Sequence, residues 1–145
     1  MPLSPVETQR DLTLLVSRCL LAVLFIVAGY GKLTGFSGAT GYFGGLGMPV
    51  PAAVAALAVA VELILGLALG LGVVTRPVAL LLAGYTILTA LIGHHFWTMT
   101  GTAEAGNLIH FNKNLGLAGG LLLLSLCGAG RYSIDARLGR PVHTA

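Results

Sequence analysis

Eight side chains that can donate, accept or carry a proton lie in or beside long apolar runs of this 145-residue chain: Arg18, Lys32, Glu62, His94, His95, His110, Lys113 and Asn114. Glu62 stands out, because nothing else between positions 51 and 74 ionises. Arg18 breaks the run 12–31 in the same way, and Lys113 sits at the head of the run 111–126. A charge at the centre of a bilayer costs from about 2.5 to above 10 kcal/mol, so such residues face the protein interior, pair with one another and mark function. A carboxylate in that setting can take up a proton or hold the polar end of a ligand. It can equally be one half of a buried ion pair with no chemistry of its own.

The elements that must position these groups follow from composition. The chain is 56% hydrophobic and 9% charged, with mean hydropathy +0.91, far from a soluble domain. Four segments, roughly 12–33, 51–74, 77–96 and 107–126, approach or exceed the ~18 apolar residues of a membrane-spanning helix. What remains is too short for a separate soluble domain. The expected fold is therefore all-α: an integral membrane four-helix bundle forming one domain over residues 1–145. Between helices 1 and 2, Phe36, Thr40, Phe43 and Leu46 recur at helical spacing in a glycine-rich stretch, which predicts a short helix lying in the membrane interface. The turn at Thr75-Arg76-Pro77 is short enough to make helices 2 and 3 antiparallel neighbours. Residues 1–10 read as a frayed end, 98–106 as a polar exposed loop, and 131–145 as a charged tail.

Arg10, Arg76, Arg131, Arg137 and Arg140, five of the eight Lys and Arg residues, fall in the segments flanking one membrane face. The positive-inside rule then puts both termini in the cytoplasm. Residues 12–31 do not read as a cleaved signal, since the run is long, Arg18 interrupts it and no small-residue cleavage site follows. Cys19 and Cys127 both lie toward the cytoplasmic side without a C-x-x-C motif, and read as small packing residues. No basic aromatic patch points to nucleic acid. No H-E-x-x-H, G-x-S-x-G, phosphate loop or dinucleotide fingerprint is present, so the reading leans away from an enzyme.

Periodicity places the polar groups on faces. Arg18, Ala22, Phe25, Gly29 and Lys32 share one face of helix 1, and Ala58, Glu62, Gly66 and Gly70 form a small-residue seam on helix 2. Estimated depths put Glu62 within reach of Arg18, which predicts an Arg18–Glu62 pair, with Lys32 a residue at the interface. Asn107, His110, Lys113 and Asn114 open helix 4 as a polar patch, near His94 and His95 at the end of helix 3. Adjacent histidines point ~100° apart and cannot chelate as an i,i+4 pair would, so no metal site is assigned. These faces should turn toward one interior; exposed on an isolated bundle, they would need a homo-oligomer to cover them.

Taken in order, these pieces resemble the DoxX family of small bacterial inner-membrane proteins. The resemblance rests on Arg18 to Lys32 in the pattern R-x10-G-x2-K, Leu46-Gly47-Met48-Pro49 and Glu62-x3-Gly66. It continues through Gly72-x3-Arg76-Pro77, Gly93-His94-His95 and Lys113-Asn114-Leu115. The segments His94-His95-Phe96-Trp97 and Asn107 to Asn114 resemble a subgroup of inner-membrane proteins of unassigned activity. The resemblance implies a four-helix bundle in the bacterial inner membrane and leaves the activity open. Relatives in the family include a subunit of a thiosulfate:quinone oxidoreductase, which implies an accessory or quinone-facing role beside a partner oxidoreductase. The remaining readings are a small-solute or proton-coupled transport unit, with Glu62 as the titrating group, and a purely structural partner protein.

Overall fold

The computed structural model of the protein describes residues 5–140, and every described element is helical. We label the helices α1 (Pro5–Thr34), α2 (Phe36–Gly45), α3 (Pro51–Leu71), α4 (Thr75–Gly93), α5 (Gly101–Cys127) and α6 (Ile134–Arg137). Helices α1, α3 and α4 are long and apolar enough to cross a membrane. Helix α5 is as long as the others, but Asn107, His110, Asn112, Lys113 and Asn114 occupy its first half and dilute its apolar character.

Helix α1 begins well before the apolar run. Pro5 stands at its first position, where a missing N–H costs nothing, and Glu7 follows in the first turn. Residues 5–10 are thus helical rather than frayed, while 1–4 lie outside the described residues. A short helix is present between the first two long ones as α2, with no buried residue of its own. The polar stretch 98–106 is not a loop throughout: a 3-10 turn at Phe96–Thr98 leads into α5, which starts at Gly101.

Helices α1 and α3 pack antiparallel through glycine. A Cβ built on Gly29 would stand 2.9 Å from the Cβ of Glu62, and one on Gly66 would stand 3.0 Å from the Cβ of Phe25. One on Gly70 would come within 3.2 Å of Ala22. Side chains at these positions would push the backbones apart, which is how small-residue seams work in lipid. The same register continues to Gly72, where an added Cβ would collide with the Arg18 guanidinium. Beyond this seam the apolar core gathers Phe25, Leu69, Leu82, Ala83, Leu121 and Leu124 from four helices, in the half nearer the α3–α4 turn.

That turn is locked by the chain's C-terminal part. Gly72 closes α3 at φ +70, and Val74 takes φ +45, a conformation that strains a β-branched residue. Asp135 holds it there: its carboxylate accepts from the Val74 N–H at 2.8 Å and the Thr75 N–H at 2.9 Å, capping α4 from α6. Its own N–H donates to the Gly72 carbonyl at 2.9 Å. The expected charged tail is therefore folded back onto the bundle as far as Arg140; residues 141–145 lie outside the described residues.

Burial acts to raise the Asp135 pKa, but hydrogen bonds from Thr75, Val74 and Arg140 outweigh it and hold the carboxyl below its ordinary value. A depressed folded pKa stabilises the fold fully above the unfolded value of about 3.9, and the contribution is lost as pH falls through the folded value. We expect the melting temperature in detergent to drop as pH is lowered below about 4, with Asp135→Asn less stable by about 1 kcal/mol at neutral pH and showing a smaller acid drop. Parallel acid profiles of the two proteins would refute this cap.

Candidate functional site

Glu62 occupies a break in helical regularity. Residues Val61–Leu65 form a π turn inside α3. Such turns insert a residue into the i→i−4 ladder and recur at functional positions. Here the turn presents a carboxylate that is 5% exposed to the interior of the protein.

The partner of that carboxylate is Lys32. Its ammonium donates to both Glu62 oxygens, at 2.9 and 2.8 Å. The Tyr85 hydroxyl, from α4, donates to Oε1 at 2.7 Å. A buried carboxylate accepting three hydrogen bonds, one pair of them from a cation, has its desolvation largely compensated. The triad ties α1, α3 and α4 together at one level of the bundle.

The expected Arg18–Glu62 pair does not form. The antiparallel register sets Arg18 opposite Gly72, ten residues or ~15 Å along α3 from Glu62. Depths counted from the ends of apolar runs placed the two levels together; the glycine seam sets them apart. Arg18 is fully buried and donates instead to two carbonyls of the returning chain, Ala129 at 2.9 Å and Tyr132 at 2.7 Å. Asp11 joins the same layer, accepting from the Arg131 N–H at 3.0 Å. Arg18 is thus the centre of a structural clasp at the α3–α4 turn, not a neighbour of Glu62.

Above the triad the helices diverge around a cavity of about 1060 Å³. Leu24, Phe25, Val54, Leu57, Ile92 and Leu117 are among its apolar walls, and α2 contributes Tyr42 and Phe43 at the far end, followed by Leu46 just past its C-terminus. Lys32, Glu62 and Tyr85 lie in its lining, as do His94, His110, Lys113 and Asn114. Six of the eight sequence candidates therefore meet around one space. Arg18 and His95 do not line it.

The histidines differ in their surroundings. The rings of His94 and His110 stack with centroids 4.9 Å apart and planes at 19°. His94 Nδ1 lies 3.1 Å from Asn107 Oδ1, and the Asn107 amide nitrogen donates to the Ala103 carbonyl at 3.0 Å. With the amide oriented that way, Nδ1 is the donor and Asn107 Oδ1 the acceptor of this bond. His95 Nδ1 lies 2.9 Å from the Ile92 carbonyl oxygen, and its ring meets Trp97 edge to face. It belongs to an aromatic cluster with Phe96 and Phe111 that closes the α4–α5 connection.

Two participants escaped the sequence reading. Tyr85 lies in an apolar run where a tyrosine passes for one more large side chain; its signal was the polar face it shares with Thr89, at i+4. Tyr42 donates from α2 to the Gly93 carbonyl at 3.3 Å, and nothing in the spacing of the glycine-rich stretch points to that contact.

Comparison with known proteins identifies the family. The family model for DoxX matches residues 13–95, more than half of the chain, including Arg18, Lys32, Glu62 and Tyr85. The chain belongs to the DoxX family. Two Escherichia coli K12 proteins are similar over nearly their whole length. Inner membrane protein YphA is 43% identical over 128 residues, 88% of this chain and 91% of the relative. Inner membrane protein YqjF is 42% identical over 131 residues, 90% of this chain and 95% of the relative. No solved structure matches the chain. The DoxX model ends at His95, so the polar half of α5, with His110, Lys113 and Asn114, lies beyond the matched region.

Proposed function

We propose that this DoxX protein is a four-helix bundle of the bacterial inner membrane that serves a membrane redox system by holding a quinone headgroup. The supporting observation is the cavity itself. Its walls are apolar, its volume of about 1060 Å³ is at the upper end of ligand sites, and it reaches the buried Glu62 carboxylate held by Lys32 and Tyr85. Quinone carbonyls need donors, which Lys32, Lys113 and Asn114 supply. Glu62 lines the cavity and is the acceptor that holds Lys32 and the Tyr85 hydroxyl at its inner end. In this reading both termini are cytoplasmic and the cavity faces the outer half of the bilayer, an orientation supported by the Lys and Arg distribution. The partner is an oxidoreductase that this protein serves as an accessory subunit.

The test is the lipid extract of the protein purified in mild detergent. About one quinone per chain is expected, falling at least tenfold in Glu62→Ala and in Lys113→Leu. A quinone-free extract together with pH-dependent solute flux into liposomes would replace this reading with a proton-coupled transport unit in which Glu62 titrates. Reporter fusions check the orientation: the fusion after Ala145 should be active as a cytoplasmic reporter and the fusion at Gly101 as a periplasmic one.

A further inference from the structure

The cavity has one cation without a counter-charge. Lys32 is paired with Glu62, whereas Lys113 has no carboxylate partner among the described residues. Its height is fixed by the α4–α5 register. Asn107 lies level with His94, so Lys113, six residues further along α5, lies ~9 Å deeper toward the middle of the bundle. An unpaired ammonium at that depth is expensive unless a ligand oxygen meets it.

The ways into the space are unequal. Between α3 and α4 the Tyr85–Glu62 hydrogen bond forms a bridge, and Tyr42 ties α2 to Gly93 at the far end. The Tyr42 hydroxyl sits so close to Gly93 that a Cβ there would stand 2.7 Å from it. Helix α2 thus roofs the end of the cavity that would face water. The side between α1 and α5 is different. Leu21 approaches Gly120 at 3.9 Å from an added Cβ, but one turn further out Gly116 lines the cavity and an added Cβ would meet nothing within 4 Å. Leu24, facing it from α1, also lines the cavity and is 46% exposed. Lys113 is next to this gap and is itself exposed.

We propose that the cavity is filled sideways from the bilayer through the α1–α5 gap at Leu24 and Gly116, by an amphiphile whose oxygen-rich headgroup meets Lys113 while its apolar chain stays in the hydrocarbon. This deepens the quinone reading by naming the portal, the roof and the residue that reads the headgroup. The shared chemistry is an acceptor oxygen on an apolar chain, and both a quinone and an anionic phospholipid carry it.

The portal is tested without any assumed ligand. In a Trp97→Phe background, Leu117→Trp puts the sole indole on the cavity wall, and the protein is reconstituted in vesicles of brominated phosphatidylcholine or its unbrominated equivalent. Brominated chains should quench at least half of the emission, and aqueous iodide little of it. Gly116→Phe, which has room for its ring, should at least halve the bromolipid quenching, and Tyr42→Phe or Gly93→Leu should let iodide in. Quenching by iodide but not by bromolipid in the parent protein would overturn the proposal, as would bromolipid quenching that Gly116→Phe leaves unchanged.

Headgroup recognition is read from the bound extract of wild-type protein and Lys113→Gln, with ubiquinone and phosphatidylglycerol as the probes. Loss of one or the other by at least tenfold identifies the source; equal retention of both overturns the role of Lys113. Bromolipid quenching with only phosphatidylglycerol bound would keep the portal and sink the quinone reading. Bound quinone with iodide access alone would do the reverse.

Discussion

Arg18→Met is expected to loosen the clasp at the α3–α4 turn more than any other single change. The substitution keeps length and helix propensity but deletes both donors, leaving the Ala129 and Tyr132 carbonyls without the hydrogen bonds they now accept at 2.9 and 2.7 Å. Hydrogen bonds to a charged group contribute about 1.5–3 kcal/mol each, so a loss of about 3–5 kcal/mol is expected. It falls first on the returning segment, which is held to the bundle by this contact, by Asp11 on Arg131 and by Asp135 on the start of α4. A loss of 3 kcal/mol raises the open population of that segment about 100-fold, and proteolysis follows that population when opening is fast. Trypsin cleavage at Arg131 and Arg137 should accelerate accordingly, with Arg18→Lys restoring part of the protection through one remaining donor. Unchanged cleavage and melting in Arg18→Met would mean that the clasp holds nothing.

How much of this was legible in the sequence depends on whether a feature is local. The long apolar runs, the restart at Thr75 and the short helix α2 follow from periodicity and proline placement, and they match the described helices within a few residues at most ends. Lys32, Glu62, His94, His110, Lys113 and Asn114 line one cavity, as the cost of placing such groups in lipid suggests, but His110 and Lys113 remain exposed there. Which cation met Glu62 was not legible. That choice depends on helix register, and register is set by close glycine contacts such as Gly29 against Glu62, whose partners a single sequence does not name. The π turn at Glu62 is equally silent, since an α-helical count runs through Val61–Leu65 without a break. Asp11 and Asp135 were passed over because they lie outside the apolar runs. Both become buried only when residues 128–140 fold back on the bundle.

Lys32→Met is expected to destabilise the protein strongly, because Glu62 would keep its buried position and lose the ammonium that bonds both its oxygens. Removing one partner of a buried pair typically costs about 3–5 kcal/mol. The Lys32 side chain is 27% exposed against 7% for Glu62, so solvent screening places the expected loss toward the lower end, at about 3 kcal/mol. Glu62→Gln should cost less than Lys32→Met. The amide can still accept from Tyr85, and the freed ammonium can reach water, which the buried carboxylate cannot. In the double variant the isolated charge is gone, so a large part of the loss should return, giving a coupling energy of about 1–3 kcal/mol in detergent melting or denaturant titration. The same cycle run on Arg18 and Glu62 should be additive, since ~15 Å of helix separates them. Additivity for Lys32 and Glu62 with coupling for Arg18 and Glu62 would restore the pairing expected from apolar-run depths. The helix register would then have to shift by nearly three turns, and the close approaches of Gly29 to Glu62, Gly66 to Phe25 and Gly70 to Ala22 would be lost.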